Sequence, residues 1–227
     1  MSSVGFRINE RPAARISAEA LAQFATVGSA QISDCMGRLY GVVGLAPRHA
    51  ASALRMVGLA VTVKARPGDN LMIHKAIALA QPGDVIVVDG AGEATNALGG
   101  ELMAMDAEGR GVAGFVIDGA IRDADVFAQG AFPCFARSVS HRGPYKDGPG
   151  EINVPVSIGG QVVCAGDVVV GDADGVIAIP AAIAEDVLAL ALKKEADEAG
   201  IKERIRAGTY TKPWVDKTIA AKTAGGA

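Results

Sequence analysis

The chain has 227 residues, half of them apolar, with 22 Lys and Arg against 25 Asp and Glu for a net charge of −3. That length suits one domain with a sizeable core, or one domain with a terminal extension, and the composition excludes a disordered chain. With no basic block, the chain is a poor match to a phosphate backbone, which argues against nucleic acid as its partner.

Taken in order, Ser17–Phe24 reads as a short helix capped by Ser17, and Gln31–Tyr40 as a second begun by Ser33 or Asp34. Leu59–Ala65 alternates like a strand, Arg66–Asn70 is a turn, and Leu71–Leu79 follows as a helix. Val85–Asp89 and Gly114–Asp118 are unbroken apolar runs of the buried parallel kind. Between them Asn96–Glu108 has helical spacing through Leu98, Leu102 and Met105, and Ala124–Gln129 is a further short helix. This rhythm predicts an α/β core with right-handed crossovers.

After Pro133 the texture changes to short strands, Phe135–Val139, Asn153–Ile158, Gln161–Cys164, Asp167–Gly171 and Gly175–Ile179, expected to form a mostly antiparallel layer on the α/β part. Ala181–Arg206 reads as one long amphipathic helix, and the polar tail from Gly208 as an arm docking on a neighbouring subunit. The expected division is a core of residues 1–180 and a C-terminal helix and arm of residues 181–227.

Three dispersed cysteines, Cys35, Cys134 and Cys164, argue for a reducing compartment. No apolar stretch reaches membrane-spanning length and the start lacks a signal-peptide core, so a cytoplasmic location away from membranes is expected. His49, His74 and His141 lie in three different segments, which is a poor zinc pattern; His74, directly after a strand, can line a crevice. Lys64 is the one lysine whose strand context suggests Schiff-base chemistry, against the alternative of a lysine ending in solvent at a sheet edge.

Two short motifs carry chemistry. Gly99-Gly100-Glu101 opens a helix after a buried strand, so the amides near Leu102 and Met103 can hold a carboxylate or phosphate; alternatively the glycines only make a tight turn. Arg122-Asp123 follows another strand, at the carboxyl end where ligands gather in α/β sheets. The pair offers a planar cation and a hard oxygen ligand for magnesium, or else a helix-capping Asp beside a surface Arg.

Glu101, twenty intervening residues and then Arg122-Asp123, set in GGELMAMDAEGRGVAGFVIDGAIRD, resembles the RraA-like family; PGDVIVVDG before it and GDVVVGDADGVIAIP after it strengthen the likeness. The resemblance runs from about Thr26 to Arg206. Within that family the chain looks like the class II 4-hydroxy-4-methyl-2-oxoglutarate / 4-carboxy-4-hydroxy-2-oxoadipate aldolases.

The resemblance implies a swivelling β/β/α-type fold assembled as a homotrimer or homohexamer with sites between subunits. It implies Mg²⁺ or Mn²⁺ on Asp123, an oxo-diacid whose pyruvate carboxylate meets the amides around Gly100, Leu102 and Met103, and Arg122 on the enolate oxygen. Glu101 would orient a water that takes the proton from the C4 hydroxyl. An acidic residue of the C-terminal helix, Glu198 or else Glu195, would reach in from the adjacent subunit. Oxaloacetate decarboxylation and a place in aromatic-acid degradation also follow from the resemblance. The other activity found in that family, protein regulation of a ribonuclease without catalysis, is the alternative. One departure stands out: some members have an acidic residue three positions after the Asp, where this chain has Val126.

Overall fold

The computed structural model describes residues 4–50 and 55–224. In chain order the elements are β1 (Phe6–Ile8), α1 (Ala18–Gln23), α2 (Ser29–Cys35), β2 (Ala46–Pro47), β3 (Met56–Ala65), α3 (Leu71–Leu79), β4 (Asp84–Gly99), α4 (Glu101–Gly109), β5 (Gly114–Ile121) and α5 (Ala124–Gln129). They continue with β6 (Cys134–Val139), β7 (Gly150–Ile152), β8 (Val156–Ile158), β9 (Gln161–Val163), β10 (Val168–Asp172), β11 (Gly175–Ile179), α6 (Ala184–Arg206) and α7 (Pro213–Thr223). The chain divides into two compact units, Met1–Ala191 and Leu192–Ala227, with the division inside α6.

The first unit is built on a parallel run, β3–β4–β5–β6, in which consecutive strands pair and α3, α4 and α5 are the crossovers. Both faces of this sheet are buried, which is why its strands read as unbroken apolar runs. Ile86 and Val88 of β4, with Phe115 and Ile117 of β5, pack on the helical side against Ile73, Ile77, Ala104, Ala107 and Phe127. Val85, Val87 and Val116 face the other way and meet Val156, Ile158, Val163, Val169 and Val176. The layers are therefore helices, central sheet and a second set of β-hairpins, the β/β/α arrangement expected.

The edge of β3 away from β4 is shared by two late strands. β10 pairs antiparallel with its first half, Val168 opposite Leu59, and β7 with its last residues, Ile152 opposite Val63. β1 adds to β7 in parallel, and β11 closes onto β10. The N-terminal segment is tied down by a charge pair: Arg11 donates to Asp84 through Nε at 3.1 Å and through the terminal nitrogen at 2.6 Å, and Asp84 also accepts from the Gln81 amide at 2.8 Å. The Asp84 carboxylate is almost fully buried, so removing its cation leaves an uncompensated charge. Arg11→Met is expected to lower unfolding stability by about 3 kcal/mol, read by chemical denaturation.

Several elements depart from expectation for identifiable reasons. α2 starts and stops early: Asp172 accepts from the Ser29 amide at 2.8 Å and from its hydroxyl at 2.6 Å, and Gln31 accepts from the Gly28 amide. Gly37 and Arg38, at φ 68° and 60°, then turn the chain out of the helix. Asn96–Gly99 belongs to β4, and α4 begins only at Glu101. β6, expected in the antiparallel layer, instead runs parallel to β5 within the main sheet. The tail expected as an arm contains α7, with Pro213 in its first turn, where a missing N–H costs nothing.

In the second unit the rest of α6 and α7 are joined through Tyr210, whose ring lies under Arg204 at 5.9 Å and Lys212 at 5.7 Å. Among the described residues no helix is long and apolar enough to cross a membrane.

Candidate functional site

The site begins with a misfit between two strands. Up to Asp89, paired with Asp118, β4 and β5 advance together; then β4 spends Asp89 to Glu93 where β5 moves only from Asp118 to Gly119, and Glu93 to Ala97 where β5 moves to Ala120. The surplus leaves the ladder as an excursion beyond the strand ends, helped by left-handed Ala91 and Gly92. The chain returns so that Gly99 pairs with Ile121, which sets the Gly99-Gly100 turn directly beside Arg122-Asp123. The Arg122 amide donates to the Gly99 carbonyl at 3.0 Å.

Asp123 has a left-handed backbone, φ 58° and ψ 42°, and makes no side-chain bond to the helix it precedes. Its Oδ2 instead accepts from the Glu101 amide at 2.9 Å, so Asp123 caps α4 from the next loop. A Cβ at Gly100 would lie 2.6 Å from that same oxygen and 3.0 Å from Arg122 Cγ, so only glycine permits this approach. Arg122 Nε stands 3.6 Å from Asp123 Oδ2.

Gly99, Gly100, Leu102, Met103 and Arg122 line a pocket of about 120 Å³, completed by Asn70, His74, Ala97, Pro144 and Lys146. Of the two helix amides expected to hold an anion, that of Met103 is shared with the Gly100 carbonyl at 3.1 Å, whereas that of Leu102 has no backbone acceptor among the described residues. Asn70 is 3% exposed; its Nδ2 donates to the Leu98 carbonyl at 3.2 Å and to Met103 sulfur at 3.3 Å, while its Oδ1 is buried with no partner among the described residues. A buried acceptor left unpaired costs about 1–3 kcal/mol, which a ligand donor would recover.

The Glu101 side chain opens onto the neighbouring depression with Ala104, Met105, Glu108, Val126 and Phe127. Glu198 and Glu195 lie on the part of α6 that belongs to the second unit, where Lys194 stands 3.8 Å from Glu198 and Lys202 3.7 Å from Glu195. Lys64 is exposed and lines a different cavity, with Arg66 and Glu151. His49 accepts from the Cys134 amide and sets its ring edge on Phe135, a packing role. Burial pushes the Cys134 thiol up to about 12, away from nucleophilic use.

Asn70 and Lys146 are pocket residues that the motifs do not reveal. Asn70 ends the RPGDN turn at the carboxyl end of β3, the place where α/β sheets gather ligands, and that position was its only signal. Lys146 arrives on a Gly- and Pro-rich loop, 76 residues after Asn70 and 24 after Arg122.

The pocket is cationic, with Arg122 and Lys146 beside a histidine. His74 is held below its ordinary value of 6.5, first by desolvation and then by Lys146, with Asp106 opposing. In an NMR titration His74 is expected to titrate below 6.5, and Lys146→Met to move it upward.

No cluster of three or more His, Cys, Asp or Glu side chains that can hold a metal occurs among the described residues. A closed all-protein cage is therefore not available from them, whereas a one-carboxylate site is. Asp123 Oδ2 is committed to the Glu101 amide, and Oδ1 accepts no hydrogen bond among the described residues. One free hard oxygen beside an anion pocket fits magnesium or manganese, ions that commonly take one or two carboxylates and leave remaining positions to water and substrate.

The chain matches the RraA-like family, described as Aldolase/RraA, over residues 29–178. A protein of Halalkalibacterium halodurans, provisionally named a 4-hydroxy-4-methyl-2-oxoglutarate aldolase, is 42% identical over 179 residues, covering 78% of this chain and 84% of that protein. Among solved structures, an uncharacterised protein of Pseudomonas syringae pv. tomato superposes with a TM-score of 0.76 at 28% identity, covering 86% of this chain and 96% of the other. The RNA-processing inhibitor RraA of Thermus thermophilis superposes at 0.61 with 27% identity, covering 67% of this chain and 92% of that one.

Proposed function

Because the chain belongs to the RraA-like family, we propose that it is a divalent-metal-dependent pyruvate aldolase acting on 4-hydroxy-2-oxo diacids. The substrates would be 4-hydroxy-4-methyl-2-oxoglutarate or 4-carboxy-4-hydroxy-2-oxoadipate. The observation that carries this reading is the meeting of the Gly100 turn, Arg122 and Lys146 around one small pocket, with the Asp123 carboxylate bonded to the Glu101 amide directly after that turn.

The open Leu102 amide and the start of α4 receive the carboxylate of the 2-oxo acid head. Arg122 lies where negative charge develops on the C2 oxygen, and Lys146 meets the far carboxylate. Mg²⁺ or Mn²⁺ held by Asp123, when bound, supplies Lewis-acid polarisation of the C2 carbonyl.

Cleavage removes the C4 hydroxyl proton, forms the C4 carbonyl, breaks the C3–C4 bond and leaves the electron pair as an enolate; protonation at C3 then gives pyruvate. Glu101, through a water, is the base for the hydroxyl proton, which requires its side chain to leave the neighbouring depression for the pocket. The unpartnered Asn70 Oδ1 is suited to accept a hydrogen bond from the substrate. Glu198 of an adjacent subunit, with Glu195 as the alternative, completes the site in a homotrimer or homohexamer. Oxaloacetate has the same 2-oxo acid head, and losing CO₂ from it gives the same enolate, so its decarboxylation is the expected side activity.

Purified protein is expected to release pyruvate from either diacid with added Mg²⁺ and to stop when a chelator is present. Turnover indifferent to chelator overturns the reading and redirects attention to Lys64 and Schiff-base chemistry.

A second reading, a regulator of ribonuclease activity without catalysis, is favoured by the likeness to the Thermus inhibitor. It predicts co-purification of a ribonuclease and no pyruvate release.

A further inference from the structure

We infer that Asp69 is a positioning residue for Lys146: its buried carboxylate ties the 143–148 loop to the start of α3 and so fixes where the Lys146 ammonium stands in the pocket. The inference rests on the aldolase reading for its consequence in turnover, but its geometry does not.

Asp69 is 2% exposed and has no ion-pair partner among the described residues. Its charge is met by backbone donors instead. Oδ1 accepts from the Leu71 amide at 2.9 Å, at the beginning of the helix that carries His74. Oδ2 accepts from the amides of Asp147 at 2.7 Å and Gly148 at 2.8 Å, directly after Lys146. Hydrogen bonds to an ionised acceptor are roughly twice as strong as neutral ones, and Asp69 makes three of them.

Two further bonds complete the tie: the Tyr145 amide donates to the Gly68 carbonyl at 2.8 Å, and the Asn70 amide to the Tyr145 carbonyl at 3.0 Å. Lys146 therefore sits between two residues that are each fastened to the 68–70 turn. On its other side the loop is held to the β4 excursion, where Asn96 Nδ2 donates to the Gly143 carbonyl at 2.6 Å and the Ala97 amide to the Arg142 carbonyl at 2.8 Å.

Tyr145, Lys146 and Asp147 are all exposed, so apolar packing contributes little to their placement. A loop held by hydrogen bonds rather than by a core opens locally when those bonds go. The segments it is bonded to, at Asn70 and Ala97, themselves line the pocket. The position of Lys146 relative to Arg122 is thus set through Asp69.

The test uses Asp69→Asn, whose single oxygen can meet either the Leu71 amide or the Asp147 and Gly148 amides but not both, so one end of the tie faces an NH2 donor whichever way the side chain turns. His74 reads the position of Lys146 without any turnover, since Lys146 and Asp106 act on its titration and Arg122 shares the pocket. In NMR titrations of the full chain, with His74→Gln to assign the signal against His49 and His141, Lys146→Met is expected to move the His74 midpoint upward. Asp69→Asn is expected to reproduce most of that movement, and the double variant to add nothing to Lys146→Met.

In kinetics the same variant should raise KM for the diacid about tenfold with kcat nearly kept. A wild-type protein without metal-dependent pyruvate release defeats the aldolase reading, and the titration still judges this one. An Asp69→Asn protein with the wild-type His74 midpoint, or a Lys146→Met protein that leaves it unmoved, overturns the inference. If Asp69→Asn does not fold, Asp69→Ser, which keeps a hydroxyl for Leu71 and lacks the second oxygen, takes its place under the same criteria.

Discussion

Asp123→Ala is expected to lower Mg²⁺-dependent pyruvate release by about a thousandfold or more, because it removes the carboxylate proposed to hold the ion; that factor is about 4 kcal/mol of transition-state stabilisation. The same carboxylate holds the Glu101 amide, so the substitution also strips a cap from α4, at a cost of about 1 kcal/mol in folding stability. Asp123→Asn separates the two roles. It retains an oxygen for the Glu101 amide and loses the charge, so its melting temperature should stay near wild type while turnover falls as far as in the alanine variant. Calorimetric titration with Mn²⁺ should register no binding in either. Rates equal to wild type in both variants would remove Asp123 from the site.

Gly100→Ala is the second large effect. The new methyl would stand 2.6 Å from Asp123 Oδ2, 3.0 Å from Arg122 Cγ and 3.2 Å from its Nε, so both side chains must move. A displacement of about 1 Å in a positioning element costs on the order of a hundredfold in rate, and that loss is expected in kcat. Overpacking costs about 1–3 kcal/mol of stability, so the protein should remain folded. Gly109, at the other end of the same helix, meets nothing within 4 Å when a Cβ is added, and Gly109→Ala is the matched control with unaltered kinetics. Equal losses in both variants would trace the effect to the helix rather than to the site.

Elements bounded by strong local signals are legible in the chain, and elements defined by distant partners are not. Leu71–Leu79 and Ala124–Gln129 match the structure residue for residue because turns close them on the sequence itself. Periodicity misled at α4. Leu98, Leu102 and Met105 have helical spacing, yet Leu98 is in β4, and Leu102 and Met105 are 73% and 61% exposed. The buried face of the helix is Met103, Ala104 and Ala107, two of them alanines, which give little hydrophobic contrast. α2 was misplaced because its cap comes from Asp172, far along the chain.

The site divides along the same line. Gly100, Leu102, Met103 and Arg122 are joined by two adjacent strands and are readable as motifs, whereas Asn70 and Lys146 reach the pocket only through the third dimension. No local pattern distinguishes Asp69 from any other turn aspartate; its role depends on the 147–148 amides that meet it.

The way the outer edge of β3 is filled has a consequence for synthesis on the ribosome. Its partners are Gly150–Ile152 and Val168–Gly171, which emerge roughly a hundred residues after β3 itself. During elongation the nascent chain therefore carries a valine-rich ribbon with unpaired amides and carbonyls. Nonsense products ending before β10 would inherit that exposed ribbon permanently, and pulse-labelled truncations should partition into aggregates until the stop codon passes Ile179, where soluble yield should rise sharply.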